Sequence, residues 1–243
     1  MASEYLKWKY RDVKPDEPIR YTPAEKRRNW WHYHKWHVAI GLVLALAAGN
    51  ILYHVLGVGQ VRPDYQIAYV GADPLPDGTA AALETALAEL GRDCNGDGRV
   101  VVRLNQYVSG ANAQDGDSLY YATAASTLLM ADLTACDSYF FLLDDPDAFQ
   151  ENHQILRRLD GSLPADSDRD YASCYLPWTD CPALTGLDLG TYSEDLLGQE
   201  VSGNSQELLS GLYLARRGFW TENTADYADD CDALWAELTK GAF

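Results

Sequence analysis

Positive charge is scarce over most of this chain. Beyond residue 37 there are ten Lys/Arg against thirty-one Asp/Glu, and the 243-residue sequence carries a formal net charge of −17. Such a surface repels nucleic acid and anionic polymers, so neither is expected as a partner, whereas cations are welcome. Histidine is nearly missing too: His153 is the only one beyond residue 58. The signatures G-x-S-x-G, S-x-x-K and H-E-x-x-H do not occur, and there is no phosphate-cradling glycine loop, which removes the usual local signs of hydrolases and nucleotide enzymes. The five cysteines form no C-x-x-C pair, so a zinc site is not expected. Carboxylate pairs are plentiful, but in so acidic a chain they carry little information. A non-enzymatic role follows as the expectation, with an exported hydrolase the least favoured alternative.

What the chain does have is one long apolar run, VAIGLVLALAAGNILYHVLGV, from Val38 to Val58, with no Lys, Arg, Asp or Glu. At about 1.5 Å per residue it crosses a hydrocarbon layer of about 30 Å as a helix. Ala45, Ala47 and Ala48 also offer a small-residue cleavage pattern, but apolar residues continue past them, so an uncleaved anchor is the reading adopted. Lys26, Arg27, Arg28 and Lys35 crowd the N-terminal flank, whereas only Arg62 precedes Asp64 on the other side. By the positive-inside rule the N-terminus is cytoplasmic and the acidic part extracytoplasmic, making a single-pass protein of the cell membrane. The expected divisions are a basic aromatic tail over 1–37, the transmembrane helix over 38–58, a linker over 59–64 and one exported domain over 65–243. In the tail, Trp30, Trp31, Tyr33 and Trp36 alternate with positive charge, as at a lipid headgroup layer; His32, His34 and His37 fit that belt better than a metal site.

The exported part is long enough for one compact domain and too short for two lobes of ordinary size. Its pattern predicts strands over Asp64–Val70, Arg99–Val108 and Asp137–Leu143, alternating with helices over Asp77–Leu90, Ser118–Cys136 and from Pro146 to about Leu159. Strand and helix in alternation give an α/β fold with a parallel sheet of βαβ units. Residues 161–204 read as loop-rich, followed by helices over Ser205–Arg217 and Thr224–Lys240.

Asp93-x-Asn95-x-Asp97-Gly98-Arg99 places oxygen ligands at alternate positions, a glycine at the sharp turn and the Arg99 carbonyl next, the first two-thirds of a calcium loop. Position twelve is Leu104, so the bidentate carboxylate is missing. Calcium is therefore one reading, and a glycine-bearing turn the other. Cys174 and Cys181 bracket a short loop that a disulfide can close in an oxidising compartment. In open α/β sheets ligands meet the carboxyl ends of the strands. Those ends bring in Asp73, Tyr107, Asp144 and Asp145; with Tyr175, Trp178 and Asp180 nearby they offer aromatic platforms and acceptors for a sugar, an amine or a peptide. Tyr175 and Trp178 equally fit a lid packed on the sheet.

Taken together, the basic aromatic tail EKRRNWWHYHKWH, one span, PDY before the first strand, the DxNxDG turn and LLDD after the third strand resemble uncharacterised single-span membrane proteins of anaerobic Firmicutes. Their exported domain resembles one lobe of an extracellular solute-binding protein, and the DxNxDG loop is similar to part of the EF-hand and dockerin loops. That resemblance implies a membrane-anchored, non-enzymatic domain binding a small solute or a protein partner. A scaffold or accessory subunit of a membrane or cell-envelope complex is the alternative.

Overall fold

The computed structural model describes residues 4, 7–9, 11, 21–55, 61–109, 118–165, 168–196, 199–218 and 225–242. The end of the expected span at 56–58 and the expected loop at 110–117 lie outside that set. Two compact units are present, residues 1–60 and 61–243.

The longest element of the first unit is the helix α1 (Pro23–Val55), 33 residues without interruption. Its start is fixed by a reciprocal capping box: the Thr22 amide and hydroxyl both donate to Glu25 Oε2 at 2.9 Å, and the Glu25 amide donates to Thr22 Oγ1 at 3.3 Å. Pro23 in the first turn costs no intrahelical hydrogen bond. The helix is long and apolar enough to cross a membrane and is exposed from Pro23 to Tyr53.

In the second unit, β1 (Tyr65–Gly71), α2 (Asp77–Leu90), β2 (Val102–Val108), α3 (Ser118–Ala135), β3 (Phe140–Leu143) and α4 (Pro146–His153) alternate as expected. β1 lies between β2 and β3 and pairs with both in parallel. The remainder departs from expectation except at its last helix, which falls within the expected Thr224–Lys240. β4 (Tyr175–Pro177), α5 (Pro182–Thr185), the hairpin β5 (Thr191–Leu196) and β6 (Gln199–Asn204), α6 (Ser205–Leu209), β7 (Tyr213–Arg216) and α7 (Ala225–Leu238) follow. The main sheet has the order β2-β1-β3-β7-β4, with β7 antiparallel to β3 and to β4, so it is mixed rather than wholly parallel.

The expected helix over Ser205–Arg217 is thus two elements. Asn204 caps α6 through its side chain, the helix ends at Leu209, and Gly211 precedes an extended segment whose Leu214, Ala215 and Arg216 are buried between β3 and β4. Helical spacing of Leu208, Leu209 and Leu212 conceals this, because a short strand buried on both faces has no alternation to betray it. α4 also stops early: Gln154 adopts a left-handed conformation (φ 53°), and Arg157 lies outside the helix, its amide donating to the Arg216 carbonyl.

Both faces of the sheet are covered. Ile67, Tyr69, Phe140, Leu142 and Leu214 point to one side, where Leu83 and Leu87 of α2 and Leu234, Trp235 and Leu238 of α7 meet them. Ala68, Phe141, Leu143 and Ala215 point to the other, against Leu129 of α3 and Phe149 of α4. The sheet edges differ. β4 has three residues and contains Pro177, which has no amide to offer. β2 is longer, but its Leu104 amide donates to the Glu84 carboxylate of α2 at 2.7 Å.

The link between α2 and β2 is stapled by Asp64, which is 1% exposed. Its carboxylate accepts from the amides of Cys94 (2.8 Å), Asn95 (3.1 Å) and Val101 (2.7 Å). Asp64→Ala leaves three amides without their acceptor; at roughly 1–3 kcal/mol each, a loss of about 3 kcal/mol or more is expected, measured as a lower urea midpoint for the full chain in detergent.

Cys174 and Cys181 do not form the expected disulfide. Both are buried free thiols, Cys174 in the cluster with Phe141 and Phe149, Cys181 in the one with Trp178 and Leu184 on the opposite side of the sheet. Burial raises both thiol pKa values, that of Cys181 to about 11. Without reductant, a thiol reagent should label the half-exposed Cys94 in the folded chain, and Cys174 and Cys181 only after unfolding; two sites that stay unlabelled in denaturant would show a disulfide instead.

Candidate functional site

The chain reverses direction across the sheet at β1. From β1 it passes outward to β2 through α2 on one face; from β2 it returns past β1 to β3 through α3 on the other. The carboxyl ends of β1 and β3 therefore flank a topological switch point, where open α/β sheets present their crevice. A crevice of about 200 Å³ is found there, with Gly71, Ser109, Asp144, Asp145, Asn152 and His153 in its walls.

Backbone and side-chain bonds lace its rim. The Ser109 amide donates to the Gly71 carbonyl at 2.9 Å, and the Asp144 amide to that of Val70 at 3.2 Å. Asp144 Oδ2 in turn accepts the Ala72 amide at 2.7 Å, and Asp145 caps α4 by accepting from the Ala148 amide at 3.0 Å. Tyr69 curls back over the strand end, donating its hydroxyl to the Asp73 carbonyl at 2.7 Å. This requires Gly71, because a Cβ there would fall 2.3 Å from the Tyr69 hydroxyl oxygen. Gln106 closes the next turn, accepting from the Leu75 amide at 2.8 Å.

Of the residues expected to bind a ligand, Asp144 and Asp145 stand in the crevice wall. Asp73 is exposed on the turn beyond β1. Tyr107 is turned away to α3, where its hydroxyl donates to Asp132 at 2.6 Å; Asp132 also accepts the Ser138 amide and hydroxyl. Tyr175 donates to Asp147 at 2.9 Å and meets Tyr213 edge to face. Trp178 is 1% exposed and packs under the sheet, its indole N–H donating to Gln206 at 2.9 Å. Gln206 is fixed by donating to the Leu184 and Leu187 carbonyls, so the buried indole is fully served. Asp180 is exposed in the turn after β4 and is not among the crevice residues.

His153 is the residue that sequence patterns undervalue. A continuous helix to Leu159 would place it on an exposed face, but α4 ends at His153, and the half-buried ring lies 4.8 Å from that of Phe149 in the crevice wall. Burial lowers its pKa below 6.5. Across the rim, burial and the charges of Asp144 and Asp73 push the Tyr69 hydroxyl up to about 12, keeping it a neutral donor.

In the Asp93–Arg99 loop, Asp93 Oδ1 and Oδ2 accept from the amides of Gly96 and Gly98, Asn95 Oδ1 from Asp97 and Asp97 Oδ1 from Arg99. Gly96 and Gly98 have φ of 75° and 84°. The side-chain oxygens thus fold the loop as a chain of Asx turns, and they fit a calcium ion only in part, since Leu104 supplies no carboxylate. Among the described residues no group of three or more His, Cys, Asp or Glu side chains is arranged around one metal position.

No protein-family model matches the chain, and no match was found among curated proteins or solved structures.

The half-buried imidazole has a measurable consequence. Its folded-state pKa lies below the unfolded one, so protons bind the unfolded chain first as pH falls. The stability contributed by neutral His153 should be complete above about pH 6.5 and decline as pH drops through the folded-state pKa. NMR titration, assigned with His153→Gln, should find its midpoint below that of the same histidine in urea.

Proposed function

We propose that the chain is a membrane-anchored extracytoplasmic binding domain, and that the switch-point crevice takes a small cationic or hydrogen-bonding solute. The observation that carries this reading is the crevice itself. Asp144, Asp145, Ser109, Asn152 and neutral His153 converge there with no lysine or arginine among the described wall residues, on a rim held by backbone bonds. Its volume suits an amine or amino acid rather than a folded peptide. One cradle of this kind is what a single lobe of a solute-binding protein would supply. The anchor and its orientation rest on α1 and on the charge asymmetry around it.

A protein-binding scaffold is the second reading, favoured by α3. That helix carries one charged residue, Asp132, in 18, and exposes Tyr120, Tyr121, Leu128 and Met130. Calcium is a separate proposal for the oxygens of Asp93, Asn95 and Asp97 with the Arg99 carbonyl, supported by their spacing and by the glycine turns.

Thermal shift of the full chain in detergent, against alkyl diamines, amino acids, neutral sugars, dipeptides and calcium, tests all three. An amine or amino acid should stabilise the protein. Asp144→Asn keeps the acceptor for Ala72 but removes the charge, and should weaken that binding by about 10-fold or more. Stabilisation by none of the organic solutes would remove the solute reading and leave the scaffold.

A further inference from the structure

The N-terminal half of α1 contains a feature that anchoring alone does not explain. Thirty-three helical residues span about 50 Å, more than the roughly 40–45 Å of a whole bilayer with its headgroup layers. The apolar run needs only the part from Val38 onward, so the turns from Pro23 to His37 continue beyond the hydrocarbon as the same helix. No proline or glycine interrupts α1 between Pro23 and Gly41, and the Thr22–Glu25 capping box closes its end. These turns are therefore a rigid extension of the span.

Their chemistry combines cations with aromatic rings. Lys26, Arg27, Trp30 and Trp31 line one open, largely apolar patch of the helix, with the ammonium and guanidinium groups at its border. Trp30 is pre-oriented: its ring stacks on that of His34 at 4.9 Å with 7° between planes, and His34 Nδ1 donates to the Trp30 carbonyl at 2.9 Å. Trp30 and Trp31 remain 53% and 54% exposed. The distribution decides between two kinds of partner. Successive residues on a helix turn by about 100°, so Lys26, Arg27 and Arg28 point to three sides, and the rings of Trp30, Trp31, Tyr33 and Trp36 also go round the axis. A protein groove reads one stripe of a helix. A headgroup layer surrounds it, and negative lipid attracts each nearby cation.

We infer that residues Lys26 to Trp36 of α1 form a binding site for anionic phospholipid headgroups, centred on Lys26, Arg27, Trp30 and Trp31, so that the helix collects such lipids around it. The inference rests on the membrane-spanning reading of α1. The guanidinium and ammonium groups pair with the headgroup phosphate, and the indoles cover the glycerol region.

The full chain, reconstituted into nanodiscs of phosphatidylcholine with roughly one third phosphatidylglycerol, is then extracted in mild detergent and its retained lipid measured by mass spectrometry. Phosphatidylglycerol should be enriched several-fold over its bulk share. Lys26→Gln, Arg27→Gln and Arg28→Gln together should return the ratio to bulk, and Trp30→Ala with Trp31→Ala should lower it without abolishing incorporation. Retained lipid at the bulk ratio in the unmodified chain would overturn the headgroup site while leaving the span intact. A chain that enters neither this bilayer nor one of phosphatidylcholine alone would overturn both. Enrichment unchanged by the triple substitution would place the lipid contact elsewhere and also overturn the site.

Discussion

The pairing of β1 with β3 is the constraint on which the second unit depends. Ile67 to Val70 register against Phe140 to Leu143, and all four β3 residues are buried. Each face of that seam holds one half of the core: Phe140 and Leu142 on one side, Phe141 and Leu143 on the other. Because β3 joins β1 on the side away from β2, the connecting helices lie on opposite faces, and the strand ends part. The crevice is a geometric by-product of that order, and Asp144 follows immediately after the last β3 residue.

Carboxylates in this acidic chain act mainly as backbone acceptors. Asp64, Asp93, Asp144 and Asp145 each take one or more amide N–H groups, which places negative charge where a peptide dipole already favours it. Cations are too few to neutralise so many acids pairwise, and those present are concentrated. Arg157 and Arg216 both approach Asp232, Arg216 lies 4.9 Å from the Trp235 ring centroid, and Arg158 pairs with Asp168. Two Arg-Arg steps far apart in sequence are brought together where Leu156 bridges Arg217. These arginines gather at the amino-terminal end of β3, where Arg216 registers against Phe140 and the Arg217 amide donates to the Tyr139 carbonyl.

How much of this was legible in the sequence depended on periodicity and neighbours. The 3.6-residue spacing of Leu83, Leu87 and Leu90 marks α2 to both of its observed ends, and the β-branched run after Arg99 marks β2, although its first three residues belong to the turn that Asp64 secures. β4, β5, β6 and β7 were hidden. β7 is four residues, three of them buried, and β4 is stabilised by β7, whose partner residues lie about 40 positions later and are specified by no local pattern. Among the residues expected at the strand ends, Asp144 and Asp145 stand in the crevice wall. Tyr107 and Trp178 are turned elsewhere by their hydrogen-bond partners Asp132 and Gln206, which come from other elements. His153 was missed because its place depends on where α4 stops, and the left-handed turn at Gln154 carries no glycine to announce it.

Glu84 shows how the fold treats its longer open border. Seven residues of β2 would otherwise offer an incoming strand a ready template, whereas the opposite border is short and contains a proline. With a carboxylate seated on the Leu104 amide, a neighbour arriving edge on must first evict a charge into water. Crowding then meets a barrier where it would have found a zipper.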